Sequence, residues 1–202
     1  MSSVAEAIAA TRAGELVVIP TDTVYGLACT PDREESVRAL SELKGRTAGQ
    51  PIALVVASLD RLLERVPELP DSTAAVARAL LPGPYTLVVP NPASRYPLLG
   101  GTRSDTIGVR VPDVSGYARE FLAEVGAVAA SSANLHGGID PRRPEDVPPA
   151  ILAAVAAAVD GGELPGVPST VLDLTGHEPR VLREGAVPAA EALARVAEAT
   201  AQ

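Results

Sequence analysis

Short apolar runs, each cut off by proline, glycine or a polar turn, set the tightest limit on what this chain can fold into. Residues 16–19 are stopped by Pro20, and residues 52–56 form a second run. Residues 85–89 follow the forced turn Pro82-Gly83-Pro84, and residues 106–111 end at Pro112. Residues 127–130 lead into Ser131-Ser132-Ala133-Asn134, and residues 169–174 and 180–183 flank a turn at Gly176. Runs of this length read as buried strands. Between them lie segments with helical spacing. The first extends to about Arg12, capped by Ser2 or Ser3 and ended by Gly14. Others cover 32–44 (with Val37, Leu40 and Leu43 on one face), 59–65, 72–80, 114–125, 151–159 and 189–199. Residues 91–105 and 136–149 hold Pro and Gly without a period and read as loops, the first a mobile one. Strands alternate with helices, yet several strands are joined by short turns. The pattern predicts an α/β (α+β) fold with one mixed parallel/antiparallel sheet and flanking helices, in one domain over residues 1–202.

Composition narrows the function. Hydrophobic residues make up 47% of 202 and charged residues 21%, enough for a packed core and too apolar for a disordered chain. No apolar run approaches 18 residues without a Pro or a charge, so no membrane span is expected, and the N-terminus does not read as a secretory signal. The single cysteine, Cys29, excludes an internal disulfide and a cysteine-built zinc site. Two histidines, His136 and His177, are too few for a histidine-rich metal centre. The net charge is −8, and neither half of the chain is basic. That argues against a surface that grips nucleic acid through phosphates, and a cytoplasmic protein acting on small molecules is expected.

The polar chemistry sits at strand ends, where ligands bind in α/β sheets. Thr21 and Thr23 flank Asp22 after the first strand, either as a turn or as a hydroxyl cradle. Lys44 is the only lysine beside 16 arginines. A compact ammonium suits a phosphate oxygen, so Lys44-Gly45-Arg46 reads as a phosphate clamp or as cations favoured at a helix C-terminus. Arg110 lies inside an apolar strand, on the same face as Thr106, as a structural ion pair or a carboxylate clamp. Ser131, Ser132 and Asn134 lack a positioned base, so they suit holding a ligand better than attacking it. Ser169-Thr170 and Arg183 end later strands. Asp22, Asp140 and Asp173 are magnesium candidates without a diagnostic spacing, so the metal ligands stay unassigned.

Taken in order, these stretches resemble the YrdC-like family, the threonylcarbamoyl-AMP synthases. The resemblance rests on Ile19-Pro20-Thr21-Asp22-Thr23-Val24-Tyr25-Gly26-Leu27, Lys44-Gly45-Arg46 with Pro51, and Leu81-Pro82-Gly83-Pro84-Tyr85-Thr86. It continues with Thr106-Ile107-Gly108-Val109-Arg110-Val111-Pro112, Ser131-Ser132-Ala133-Asn134, Ser169-Thr170-Val171-Leu172-Asp173 and Val181-Leu182-Arg183-Glu184-Gly185-Ala186. It implies a twisted mixed sheet with a concave, positively lined cavity. It implies that L-threonine, bicarbonate or CO2, and ATP with Mg2+ give threonylcarbamoyl-AMP and pyrophosphate. The product would then pass to a separate complex that modifies tRNA. By the same resemblance, Thr23, Arg110, Ala130 and Ser169 surround threonine. Lys44, Arg46, Gln50, Thr106, Ser132, Asn134 and Arg183 hold ATP, with Lys44 and Arg46 as the catalytic cations. Two departures stand out: Thr47 where many relatives have Pro, and Val55 and Val56 where some have His. The chain resembles the short form of the family. The alternative is a related protein that binds double-stranded RNA or acts in ribosome assembly, which the charge of −8 disfavours.

Overall fold

The computed structural model describes residues 1–45 and 49–201. Its first helix, α1 (Val4–Ala13), starts at Ser3, whose hydroxyl accepts from the Glu6 amide at 3.3 Å while the Glu6 carboxylate accepts from the Ser3 amide at 2.7 Å. This reciprocal cap satisfies two of the donors that a helix start leaves open. Gly14, with φ of 94°, closes the helix in the left-handed conformation that glycine adopts without steric cost. There follow β1 (Val17–Ile19), β2 (Gly26–Cys29), α2 (Glu34–Leu43), β3 (Ala53–Val56), α3 (Leu59–Arg65) and α4 (Asp71–Leu80). Then come β4 (Tyr85–Pro90), β5 (Thr106–Arg110), α5 (Gly116–Val125), β6 (Ala127–Ser132), α6 (Pro149–Ala154) and β7 (Ala157–Ala158). The last elements are β8 (Thr170–Asp173), β9 (Arg180–Arg183) and α7 (Ala189–Thr200).

The described strands form one sheet in the order β7-β1-β2-β6-β3-β5-β4-β8-β9. Pairing is parallel at β7/β1, β3/β5 and β4/β8, and antiparallel elsewhere. The mixed sheet with flanking helices is therefore what the alternation of runs predicted.

Strand residues alternate between two apolar layers. Leu54, Val56, Ile107, Val109, Leu87 and Ala129 join a layer that Val37 and Leu40 of α2, Leu80 of α4 and Val196 of α7 complete. Val55, Val128, Ala130, Val17 and Ile19 face the other way, onto Ala7 of α1 and Phe121 and Leu122 of α5. Each fully buried Leu, Ile or Val contributes roughly 1.5–3 kcal/mol, while an exposed ion pair such as Arg38–Glu34 contributes about 0–1 kcal/mol. The two apolar layers therefore hold the fold. The second layer packs against the β1, β2, β3, β6 and β7 side of the sheet, and on that same face β5, β4, β8 and β9 border a cavity.

Three expectations need correction. β2 was not foreseen, because Gly26-Leu27-Ala28-Cys29 has neither a β-branched residue nor alternation, and its strand state comes from pairing with β1 and β6. The helix expected over 151–159 ends at Ala154. Alanine favours helix locally, but the Ala156 and Val159 amides reach, at 2.9 Å, the carbonyls of Leu16 just before β1 and of Val18 on β1, and the chain becomes an edge strand instead. The helix expected from residue 32 starts at Glu34, with Arg33 as its cap residue. The loop at 91–105 is tied down by Asn91, whose amide nitrogen donates to the carbonyls of Arg95 at 2.8 Å and Ser104 at 3.1 Å. No helix among the described residues is long and apolar enough to cross a membrane.

Candidate active site

The cavity measures about 690 Å³, within the range of small-molecule sites. Its floor is made of residues too small to fill it. Gly108, Ala53 and Ala130 stand in one row across β5, β3 and β6, because paired residues on neighbouring strands share a face. Gly108 stands between Ile107 and Val109 in a buried strand, and a Cβ placed there would meet only ordinary contacts, 3.5 Å from the Thr86 methyl. The space above it belongs to the cavity.

Polar groups ring this floor. Lys44, at the end of α2, is 3% exposed. Its ammonium donates to the Ser132 carbonyl and, at 2.8 Å, to Asn134 Oδ1. Ser132 also donates to Asn134 Oδ1 at 2.8 Å. The Asn134 amide nitrogen donates to the Gly138 carbonyl at 2.6 Å and to Asp140 Oδ1 at 3.1 Å. These acceptors fix the amide so that its oxygen faces Lys44. On the opposite wall, Thr86 and Ser169 hydroxyls lie 2.8 Å apart. Arg183 donates to the Ser169 carbonyl through Nη2 at 2.8 Å and Nε at 3.2 Å, and burial lowers its pKa while Asp140 opposes that shift.

Behind Ser169, Thr170 Oγ1 is fully buried and makes three bonds. It donates to the Val187 carbonyl at 2.6 Å and accepts from the amides of Gly185 at 3.1 Å and Val187 at 3.0 Å. The loop that follows Arg183 is thereby pinned to β8. It packs so closely that a Cβ on Gly185 would run into the Pro168 carbonyl oxygen.

Arg110, 8% exposed, projects from the end of β5. Its Nη2 donates to Asp22 Oδ1 and, at 2.7 Å, to Thr23 Oγ1. Its Nε is buried and has no hydrogen-bond partner. Burial pushes the Asp22 carboxyl above its ordinary pKa and the Arg110 guanidinium below its own, despite their attraction. Leaving a buried donor unpaired costs about 1–3 kcal/mol. A ligand acceptor reaching Arg110 Nε from the cavity would remove that cost.

Nine of the residues expected at the site line the cavity: Lys44, Gln50, Thr106, Arg110, Ala130, Ser132, Asn134, Ser169 and Arg183. Thr23 does not line it. It is 1% exposed and lies behind Arg110, while its neighbour Thr21 reaches the wall. Arg46, expected as a catalytic cation, lies outside the described residues. Sequence reasoning missed Gly108 and Thr86 as functional positions, although a glycine inside an apolar strand is itself a signal of close approach. The described cations on the wall are Lys44, Arg103, Arg110 and Arg183, against the carboxylates Asp140 and Asp173. The cavity is thus positive in a protein of net charge −8. Among the described residues no group of three or more His, Cys, Asp or Glu side chains is arranged to hold a metal ion.

The Sua5/YciO/YrdC family model, described as telomere recombination, matches residues 9–185. The threonylcarbamoyl-AMP synthase of Pyrococcus abyssi is 35% identical over 181 residues, covering 89% of this chain and 53% of that protein. This chain therefore spans about half the length of that relative. The threonylcarbamoyl-AMP synthase of Xylella fastidiosa (strain M23) is 32% identical over 164 residues, covering 79% of this chain and 86% of that protein. The crystal structure of Pyrococcus abyssi Sua5 complexed with L-threonine superposes with a TM-score of 0.88 at 34% identity, over 96% of this chain and 57% of that one.

Proposed function

Because the chain belongs to the Sua5/YciO/YrdC family, we propose that it makes L-threonylcarbamoyladenylate from L-threonine, bicarbonate or CO2, and ATP, releasing pyrophosphate. One observation carries the reading. A single positive cavity joins Arg110, buried and with an unpartnered Nε, to Lys44, Ser132, Ser169 and Arg183. Such a cavity suits an amino-acid carboxylate at one end and a polyphosphate at the other. A relative's complex with L-threonine supports the amino acid as one substrate.

In this reading the threonine carboxylate accepts from Arg110, with Ala130 and Ser169 beside its side chain and Thr23 bracing Arg110 from behind. Lys44, Ser132 and Asn134 receive the nucleotide phosphates on one wall and Arg183 on the other, with Gln50 and Thr106 between. Arg46 lies two residues after Lys44 in sequence and is assigned to the same phosphates. The threonine amine adds to CO2 and loses a proton, giving a carbamate. A carbamate oxygen attacks the α-phosphorus, and the bond to pyrophosphate breaks with the electron pair leaving on its oxygen. The protein's part is positioning and charge neutralisation, so no protein nucleophile is needed.

Magnesium enters as part of the substrate MgATP. Asp140 and Asp173 are the cavity's carboxylates among the described residues, and Mg2+ is commonly held by one or two carboxylates together with substrate phosphates. The product is a reactive mixed anhydride and would serve a separate tRNA-modifying transferase in the cytoplasm. With a net charge of −8, direct tRNA binding is not part of the proposal.

The test is pyrophosphate release from MgATP. Wild-type protein should release it only with both threonine and bicarbonate, and threonine should be compared with serine. Lys44→Ala should lower that rate roughly 10²- to 10³-fold with unchanged circular dichroism. A variant within a few-fold of wild type refutes the assignment.

A further inference from the structure

Among the described residues, Arg110 and Asp22 form the one ion pair with both side chains buried, at 10% and 8% exposure. The pair joins residues 88 apart in sequence. Asp22 is itself anchored, because its Oδ2 accepts from the Asp113 amide at 3.1 Å. Thr21 Oγ1 ties the same turn together, donating to the Val24 carbonyl at 2.7 Å and lying 3.1 Å from Thr23 Oγ1. Arg110 lines the main cavity, and Asp22 does not. Asp22 instead lines a second cavity of about 520 Å³, next to Asp113 and Asp160. The ion pair therefore links a residue that lines one cavity to a residue that lines the other, beside Thr21, which lines both.

An arginine side chain has four rotatable bonds, and a carboxylate ligand needs its planar fork at one angle. Asp22 and Thr23 together claim Nη2 and leave Nε without a partner. We infer that Asp22 is a positioning residue, which holds the Arg110 guanidinium from behind so that its remaining donors meet the amino-acid carboxylate. This rests on the proposed amino-acid site. Asp22 never touches the substrate. Its removal acts on threonine and spares the nucleotide end, where Lys44 and Asn134 have their own supports.

The experiment is Asp22→Ala, with KM measured separately for threonine and ATP. The KM for threonine should rise roughly 10- to 100-fold while that for ATP stays within about threefold. Formate should restore the threonine KM, since the second cavity leads to the vacated carboxylate position. The ¹⁵Nε–¹H signal of Arg110, assigned by its loss in Arg110→Lys, tests the same inference without turnover. It should be a separate peak in wild type and merge with the other arginines in Asp22→Ala. Asp22→Asn, which keeps the shape and loses the charge, replaces Asp22→Ala should the latter not fold. Wild-type KM values in a folded variant overturn the inference. So does an equal rise for both substrates with no response to formate and an unmoved Nε signal. If wild type shows no threonine-dependent turnover, the amino-acid reading fails, and the Nε signal alone decides whether Asp22 positions Arg110.

Discussion

Replacing Thr170 with valine keeps the shape of the side chain and deletes only its oxygen. That oxygen makes three hydrogen bonds to the 185–187 backbone, and Thr170 is fully buried. At a net value of about 1 kcal/mol per bond, the loss comes to about 3 kcal/mol. Water cannot easily replace it, because Val187 is buried and Gly185 lies against the Pro168 carbonyl. In a protein of this size each kcal/mol moves the melting temperature by roughly 2–4 °C, so Thr170→Val should melt about 6–12 °C lower. Urea unfolding should give the same free-energy loss with an unchanged slope. Arg183 lies two residues before Gly185 and is held to Ser169. If Arg183 holds ATP as proposed, loosening the loop should also raise the KM for ATP. A stability loss below about 1 kcal/mol would refute the reasoning, because it would mean the three bonds exchange with water at little cost.

Gly108→Val should fold normally, since the nearest atom to a new Cβ is a methyl at 3.5 Å, yet it should abolish turnover by filling the cavity floor. Thermal melts beside pyrophosphate release check this pair of outcomes, and an active Gly108→Val would remove the floor from the site. Burial pushes the Cys29 thiol up to about 12, from its ordinary 9.0. With the folded pKa above the unfolded one, Cys29 is a neutral thiol throughout pH 6–9, which the fold favours over the thiolate. Alkylation at pH 8 should therefore be negligible in native protein and complete in urea, as followed by mass spectrometry.

Where the sequence carries its own punctuation, the fold is legible. Pro20, Pro112 and the Pro82-Gly83-Pro84 turn bound β1, β5 and the start of β4, and Ser3 with Gly14 frames α1. The strands without a local signature, β2 and β7, owe their state to pairing with other strands, β2 with β1 and the distant β6, and β7 with the distant β1. The site divides in the same way. A lone lysine and an arginine inside an apolar strand betray themselves by residue type. The placement of Thr23 behind Arg110 depends on contacts 87 residues apart and emerges only on folding. Asp140 is legible in the sequence only as an acid. Its use in orienting Asn134 depends on an amide rotation that sequence does not encode locally.

The polar wall runs from Thr21 to Arg183, and the strand carrying Arg183 is an edge strand of the sheet and the last in the chain. A nascent chain therefore cannot complete this cavity until its ninth strand has emerged from the ribosome and docked. Once it has, any occupant that touches both walls acts as a clasp between early and late parts of the chain. At a hundredfold excess over its dissociation constant such a ligand adds about 2.7 kcal/mol to the folded state.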